Sequence, residues 1–416
     1  GTGASSYRWY VPTFHTYGAF PEIGNPNFQF VSRNLRGGSP GGIWISLRQS
    51  TLFIPGLEIE TLVDLSHGFF LHAVANGTHG QAGEGMATTS VPIPKDQALV
   101  GMNVFAQSFF LDTASTHVSC VYTQGLRLQF HQTVSPLISA LYERTVYQKI
   151  VTDAATGMAL WGANAVNGFS YIGTQKYSCG GQTHWMVIVK DDKYGIEFML
   201  IPGGSFRMGD SQNNPIHWVH IMPFLLARTE ITQAQWYAIM GSKPWLGKTN
   251  VGPYPGCAAN WITWNEIAKG SSSFCSKTGW RLPSESKWEY ACRAGTTTRW
   301  FYGNSPNDLG KYAWYSLNTM GYPERGGLKL PNAFGLYDML GNAPEWGQDN
   351  DNGYYLGAPT NGDPWEKGLI SNYRMVRGEG HISSATSCTC SYRGAGNPGN
   401  AGLFQEYGFR PALSLR

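Results

Sequence analysis

The chain has 416 residues, room for two or three domains of ordinary size, with 42% hydrophobic and 14% aromatic residues to fill their cores. Only 14% of residues are charged and the formal net charge is +3, with Lys and Arg scattered, which argues against nucleic acid as a partner. No apolar run is long enough to span a membrane, and low charge with 52 glycines suits a secreted, extracellular or cell-surface protein built of strands and loops.

Residues 1–131 read as an all-β sandwich. Short runs such as Thr51–Ile54, Glu60–Val63, Gly68–His72, Val100–Gln107 and Gly125–Phe130 have strand length, and Pro55-Gly56, Asn76-Gly77 and Pro94-Lys-Asp96 supply turns. Val91-Pro-Ile-Pro94, Ala98-Leu-Val-Gly101 and Phe105-Ala-Gln107 resemble small modules of secreted proteins from planctomycete-type bacteria. That resemblance implies a spacer or assembly role; a carbohydrate-binding use would rely on Trp9, Trp44 and Tyr122. Residues 132–190 form a bridge in which His184–Val189 reads as a buried strand feeding the next domain.

From residue 191 to 416 the motifs become specific. Met199–Gly209 reads as a strand and turn, Ala227–Trp236 as a first helix with Thr232 as N-cap, and Ser284 as the cap of a helix that buries Trp288 and Cys292, four apart. With Ile262–Glu266, Arg281–Tyr290, the run Asn332–Trp346 and the closing Tyr407–Arg410, these segments resemble the formylglycine-generating, or sulfatase-modifying factor, family. The resemblance implies an α+β, loop-rich, C-type-lectin-like domain.

Members with activity oxidise a peptide cysteine with copper held by two cysteines. Matched from Arg377-Gly378, Cys388 falls near the second reactive position while Ser383 stands at the first, so the enzyme reading leaves Cys388 and Cys390 as the candidate copper ligands. On a strand, i and i+2 share a face, which would allow such a pair. The resemblance also implies a disulfide from Cys292 to Cys388, with Cys390 as the alternative partner, and a calcium ion held by Asp338, the carbonyls of Gly341 and Ala343, and Glu345. Without the metal, Asp338 and Glu345 would simply cap a turn. Pro344 replaces the family's usual Trp and Gly347 its usual Cys or Ser. The histidines, His217 and His220 included, form no recognisable metal site.

From His381 to Phe404 the chain lacks Glu, Gln, Lys, Trp, Met, Asp and Val and is dominated by small polar residues. Between its anchors this segment resembles the variable region of diversity-generating retroelement proteins, ligand displays on the same fold. That implies a non-catalytic binding or assembly protein with ligand contacts from loops 378–406, through His381, Ser383, Ser384, Thr386, Asn400, Leu403 and Phe404. The partner would be a protein, a glycan or a second copy of the chain, at the cell exterior.

Overall fold

The computed structural model describes residues 141–415 apart from 211–213, 356, 367–371 and 401–406, and before residue 141 the backbone of ten strands. These are β1 (Thr13–Tyr17), β2 (Gln29–Leu35), β3 (Pro40–Ser46), β4 (Leu52–Ile54), β5 (Ile59–Thr61), β6 (Gly68–Val74), β7 (Gly85–Ser90), β8 (Asn103–Asp112), β9 (Ser119–Tyr122) and β10 (Leu126–Gln129). They pair in the orders β1-β2-β7, β10-β8-β3-β6 with β9 on β8, and β4-β5. The residues that would show two sheets packed as a sandwich lie outside the described ones, as do the side chains of Trp9, Trp44 and Tyr122.

The chain divides into two compact units, one of residues 1–143, 207–220 and 354–361, the other of residues 144–206, 221–353 and 362–416. Most of the expected bridge therefore folds with the second unit. It contains two helices the sequence did not announce, α1 (Arg144–Ile150) and α2 (Ala154–Asn164), before β11 (Phe169–Cys179) and β12 (Gln182–Asp191). Gly157 and Gly162 blunt the helical signal of α2. Gly157 has a packing reason: a Cβ there would lie 2.1 Å from Thr174 Oγ1.

The second unit is organised on an antiparallel sheet, β11-β12-β13-β16-β20, with β13 at Glu197–Ile201, β16 at Phe224–Ala227 and β20 at Ala412–Ser414. Phe198 to Ile201 and Phe224 to Ala227 are all buried, so these central strands read as unbroken apolar runs rather than alternating ones. Between β13 and β16 runs the hairpin β14 (Gly204–Asp210) and β15 (Asn214–Ile221).

Four short helices with side-chain N-caps follow, α3 (Gln233–Met240), α4 (Trp264–Ala268), α5 (Phe274–Thr278) and α6 (Glu285–Arg293), and then α7 (Leu309–Tyr312). Thr232 and Ser284 are the N-caps expected, each accepting from the N3 amide at 3.2 Å. The helix expected from residue 227 starts only at 233, because Phe224–Ala227 belong to β16. A second sheet, β17 (Glu345–Asn350), β18 (Arg374–Arg377) and β19 (Gly394–Gly396), carries the signature run into the C-terminal loops.

Helix α6 is buried on almost every side, not on one face, and its charged residues Glu285, Glu289 and Arg293 go inside with it. Asp349 on β17 accepts the Glu285 amide at 2.7 Å and the Trp365 amide at 2.9 Å. Burial, then the Glu285 charge, pushes its carboxyl up to about 7. A carboxyl whose pKa is raised by folding binds its proton more tightly in the native state, so its contribution to stability falls as pH rises from about 4 to about 7. Unfolding free energies from urea denaturation over that range should drop by up to about 1.4 kcal/mol per pH unit more in the wild type than in Asp349→Asn.

Candidate functional site

The run Asn332–Trp346 forms a loop pinned to the end of α6 by its first residue. Asn332 Oδ1 accepts from the amides of Phe334 (2.9 Å) and Leu336 (3.1 Å), while Nδ2 donates to the carbonyls of Ala291 (2.7 Å) and Cys292 (3.0 Å). Asp338 (φ 57°) and Asn342 (φ 70°) sit in the left-handed region, which Asp and Asn tolerate better than most residues. Gly341 presses on the Trp314 carbonyl, where a Cβ would lie at 2.2 Å.

This loop brings three buried carboxylates around one buried guanidinium. Glu345 accepts from Arg410 Nε at 2.9 and 2.8 Å, from Arg410 Nη2 at 2.7 Å, and from Trp288 Nε1 at 2.8 Å. Glu230 lies 4.0 Å from Arg410 Nη2 and accepts from Asn342 Nδ2 at 3.1 Å. Asp338 accepts from the Gly327 amide at 2.8 Å. Burial and neighbouring carboxylates raise Glu230 well above the ordinary range; burial, against the Gly327 hydrogen bond and Arg410, pushes Asp338 up to about 6.

The three acids share Arg410, with Lys329 also acting on Asp338. Asp338 Oδ1 and Glu230 Oε2 are buried with no hydrogen-bond partner among the described residues. Two unmet oxygens beside two raised carboxyls suit a further cation. Of the four positions expected to hold calcium, Asp338 keeps a free oxygen, whereas Glu345 is already committed to Arg410 and Trp288. No three His, Cys, Asp or Glu side chains among the described residues are grouped as metal ligands.

Next to this cluster the C-terminal segment is fastened to α6. Arg377 pairs with Glu289 and lies 3.5 Å from Glu285; its Nη1 donates to the Tyr392 carbonyl at 2.5 Å. Arg393 Nε donates to Glu285 at 2.6 Å, and Arg293 Nε to Glu289 at 2.8 Å. Arg377 and Arg393 thus fix both flanks of residues 378–392 on one helix.

All six described cysteines are free thiols; Cys292 Sγ donates to the Met339 carbonyl at 3.8 Å and lies in hydrogen-bond contact with Cys390, the alternative partner, rather than with Cys388. Burial alone would push the Cys390 thiol up, but the contact with Cys292 and the nearby guanidiniums of Arg293 and Arg377 lower it instead. Cys388 faces Glu379, and burial raises its thiol. The expected shared face for Cys388 and Cys390 fails because residues 384–390 are a series of turns, with Cys388 N donating to Ser384 O at 3.2 Å and Thr389 N to Ser387 O at 2.7 Å. The period of two holds only on a strand.

Of the expected ligand contacts, Ser384, Thr386 and Asn400 are exposed, and Ser383 is half-buried with its hydroxyl on Glu379. His381 is buried, its Nδ1 3.2 Å from the Asn342 carbonyl, which removes it from the surface. Leu403 and Phe404 lie outside the described residues. Glu379, at φ 53°, is a strained non-glycine residue that the sequence did not single out.

A second loop joins this surface. Ser316 N donates to Ser383 O and Thr319 Oγ1 to His381 O, each at 3.1 Å. Leu317 stands between those bonds and Met320 just after the second, 81% and 82% exposed, and Ile382, 45% exposed, lies between the two acceptor residues. Nothing in the sequence separates such residues from core ones.

Residues 187–415 match the sulfatase-modifying factor enzyme 1-like domain, a stretch of more than half the chain. The chain belongs to this family. The chain is similar to serine/threonine-protein kinase pkn1 of Chlamydia caviae, 28% identical over 258 residues, 55% of this chain and 40% of that protein. The chain thus spans well under half the length of that relative. A formylglycine-generating enzyme of Mycobacterium tuberculosis is 25% identical over 217 residues, 36% of this chain and 73% of that enzyme.

Among solved structures, PvdO from Pseudomonas aeruginosa aligns with a TM-score of 0.49 and 27% identity, covering 55% of this chain and 98% of PvdO. Treponema denticola variable protein 1 aligns with a TM-score of 0.45 and 24% identity, covering 58% and 99%.

Proposed function

We propose that this chain is a secreted or surface-exposed protein that binds another protein without modifying it, through loops 378–406 together with residues 315–321. The observation that carries this reading is the placement of the thiols. Cys390 is engaged with Cys292, Cys388 is buried apart from it, and Ser383 stands where a copper-dependent oxidase would need a cysteine. A linear cuprous site requires two convergent soft ligands.

The exposed surface supports a protein ligand. Leu317, Met320 and Ile382 offer apolar contact beside the small hydroxyl residues Ser384 and Thr386. Met adapts its shape readily, and Ser and Thr adapt their hydrogen bonds. Side chains of Leu and Met give a glycan's hydroxyls nothing to pair with. Copper-loaded protein mixed with a cysteine-containing sulfatase peptide should consume no oxygen above the peptide-free control. Oxygen uptake matched by loss of the peptide thiol would overturn the proposal.

A calcium ion belongs to the same proposal. Asp338 and the carbonyls of Gly341 and Ala343 would hold it, with Glu345 sharing its carboxylate with Arg410; the ion would supply charge and brace the loop. The buried, unbonded oxygens of Asp338 and Glu230 support this. Chelation by EDTA should lower Tm by several degrees and added calcium restore it, whereas Asp338→Asn should remove the difference. An unchanged wild-type Tm under EDTA would reject the ion.

A further inference from the structure

A different surface, wrapped around α3, carries three cation–ring pairs. Lys243 Nζ lies 4.8 Å from the Tyr237 ring centroid, Lys248 Nζ 5.2 Å from that of Trp261, and Arg325 Cζ 4.5 Å from that of Tyr254. Backbone and side-chain bonds gather these pairs into one collar. Ala234 N donates to Pro255 O at 2.8 Å, Gln233 N to Cys257 O at 3.0 Å, and Trp261 Nε1 to Thr249 O at 3.0 Å. Cys257 forms a β-bridge with Arg325.

The collar is open to solvent and one-signed. Tyr237 and Tyr254 are each 51% exposed and Leu246 77%. Residues 231–265 contain Lys243 and Lys248 and no Asp or Glu. Among the described residues, none of Lys243, Lys248 and Arg325 forms an ion pair. Of the bordering carboxylates, Glu266 is held by the Thr263 amide at 2.9 Å and hydroxyl at 2.6 Å, which leaves Glu324 beside Arg325. Trp261 keeps its indole here at φ 61°, a conformation an aromatic residue rarely adopts.

We propose that this collar binds an anionic polysaccharide. An acidic sugar residue combines, in one unit, an apolar C–H face and a carboxylate or sulfate. The collar repeats the matching unit three times, an aromatic ring with a cation over it, and the Tyr237 and Tyr254 rings are each half exposed. The charge is complementary, and among the described residues these cations form no ion pair that binding would have to break. An acidic peptide offers the charge without the flat apolar face, so ring and cation should matter together only for the sugar.

The test uses the full chain and polygalacturonate as probe, with neutral dextran and poly-glutamate as controls. Wild type should bind polygalacturonate, not dextran, and poly-glutamate at least tenfold more weakly. The exposed substitutions K243E and K248E together should weaken binding at least tenfold. Tyr237→Ala and Trp261→Ala should each weaken it several-fold at unchanged Tm, and Trp261→Phe should retain it. Equal binding of poly-glutamate, loss with the charge variants but none with the ring variants, or no binding to polygalacturonate would each overturn the proposal.

Discussion

Replacing Arg410 with methionine should destabilise the second unit by about 3–5 kcal/mol, the cost typical of removing one partner from a buried ion pair. Methionine fills comparable volume, so the loss reads charge rather than packing. Arg410 is fully buried, and its removal leaves Glu345 without its ionic partner and Glu230 and Asp338 without their shared counter-charge. The guanidinium also donates to the carbonyls of Ala227 (3.2 Å) and Tyr337 (2.9 Å), tying β16 and the signature loop to the C-terminus. Urea denaturation followed by Trp fluorescence would measure the loss. A shift below about 1 kcal/mol, the worth of an exposed pair, would show that the cluster is not held by this residue.

Oxidised protein should yield one cross-linked peptide pair joining Cys292 to Cys390, with Cys388 recovered as a free thiol. The prediction follows from contact: Cys292 and Cys390 lie within hydrogen-bond reach of each other, and both are fully buried. Such a bond closes a loop of about a hundred residues, which is worth about 5 kcal/mol in the chain-entropy account. Cys292→Ala and Cys390→Ala should therefore lower stability by similar amounts and show no further loss when combined, while Cys388→Ala should preserve the cross-link. Non-reducing peptide mapping decides it, and a Cys388 cross-link would overturn it. Reduction should also lower Tm in the wild type far more than in Cys390→Ala.

Much of the second unit was legible because its signals are local. Thr232 and Ser284 stand three residues before the amides they cap, and the run from Asn332 to Trp346 carries its own turn residues. What escaped was long-range or depended on local conformation. Glu345 and Arg410 are 65 positions apart, and no spacing rule connects them. The Cys388–Cys390 pair was read with strand periodicity, which the turns of residues 384–390 do not follow. The resemblance to variable regions implies His381 as a ligand contact, yet its ring is buried against the Asn342 carbonyl. Leu317 and Met320 were unreadable for the opposite reason, since exposed apolar residues look like core in a sequence.

The loop between Arg377 and Arg393 is fastened from outside itself. Its flanks are held by Glu285 and Glu289 on α6, and its middle by main-chain bonds such as Cys390 N to Arg299 O at 3.1 Å and Ser316 N to Ser383 O at 3.1 Å. Main-chain bonds do not depend on which side chain they carry. Ser384, Thr386 and Ala385 can therefore be exchanged for other residues while the frame stays in place, so recognition and foldability evolve under separate constraints on this segment.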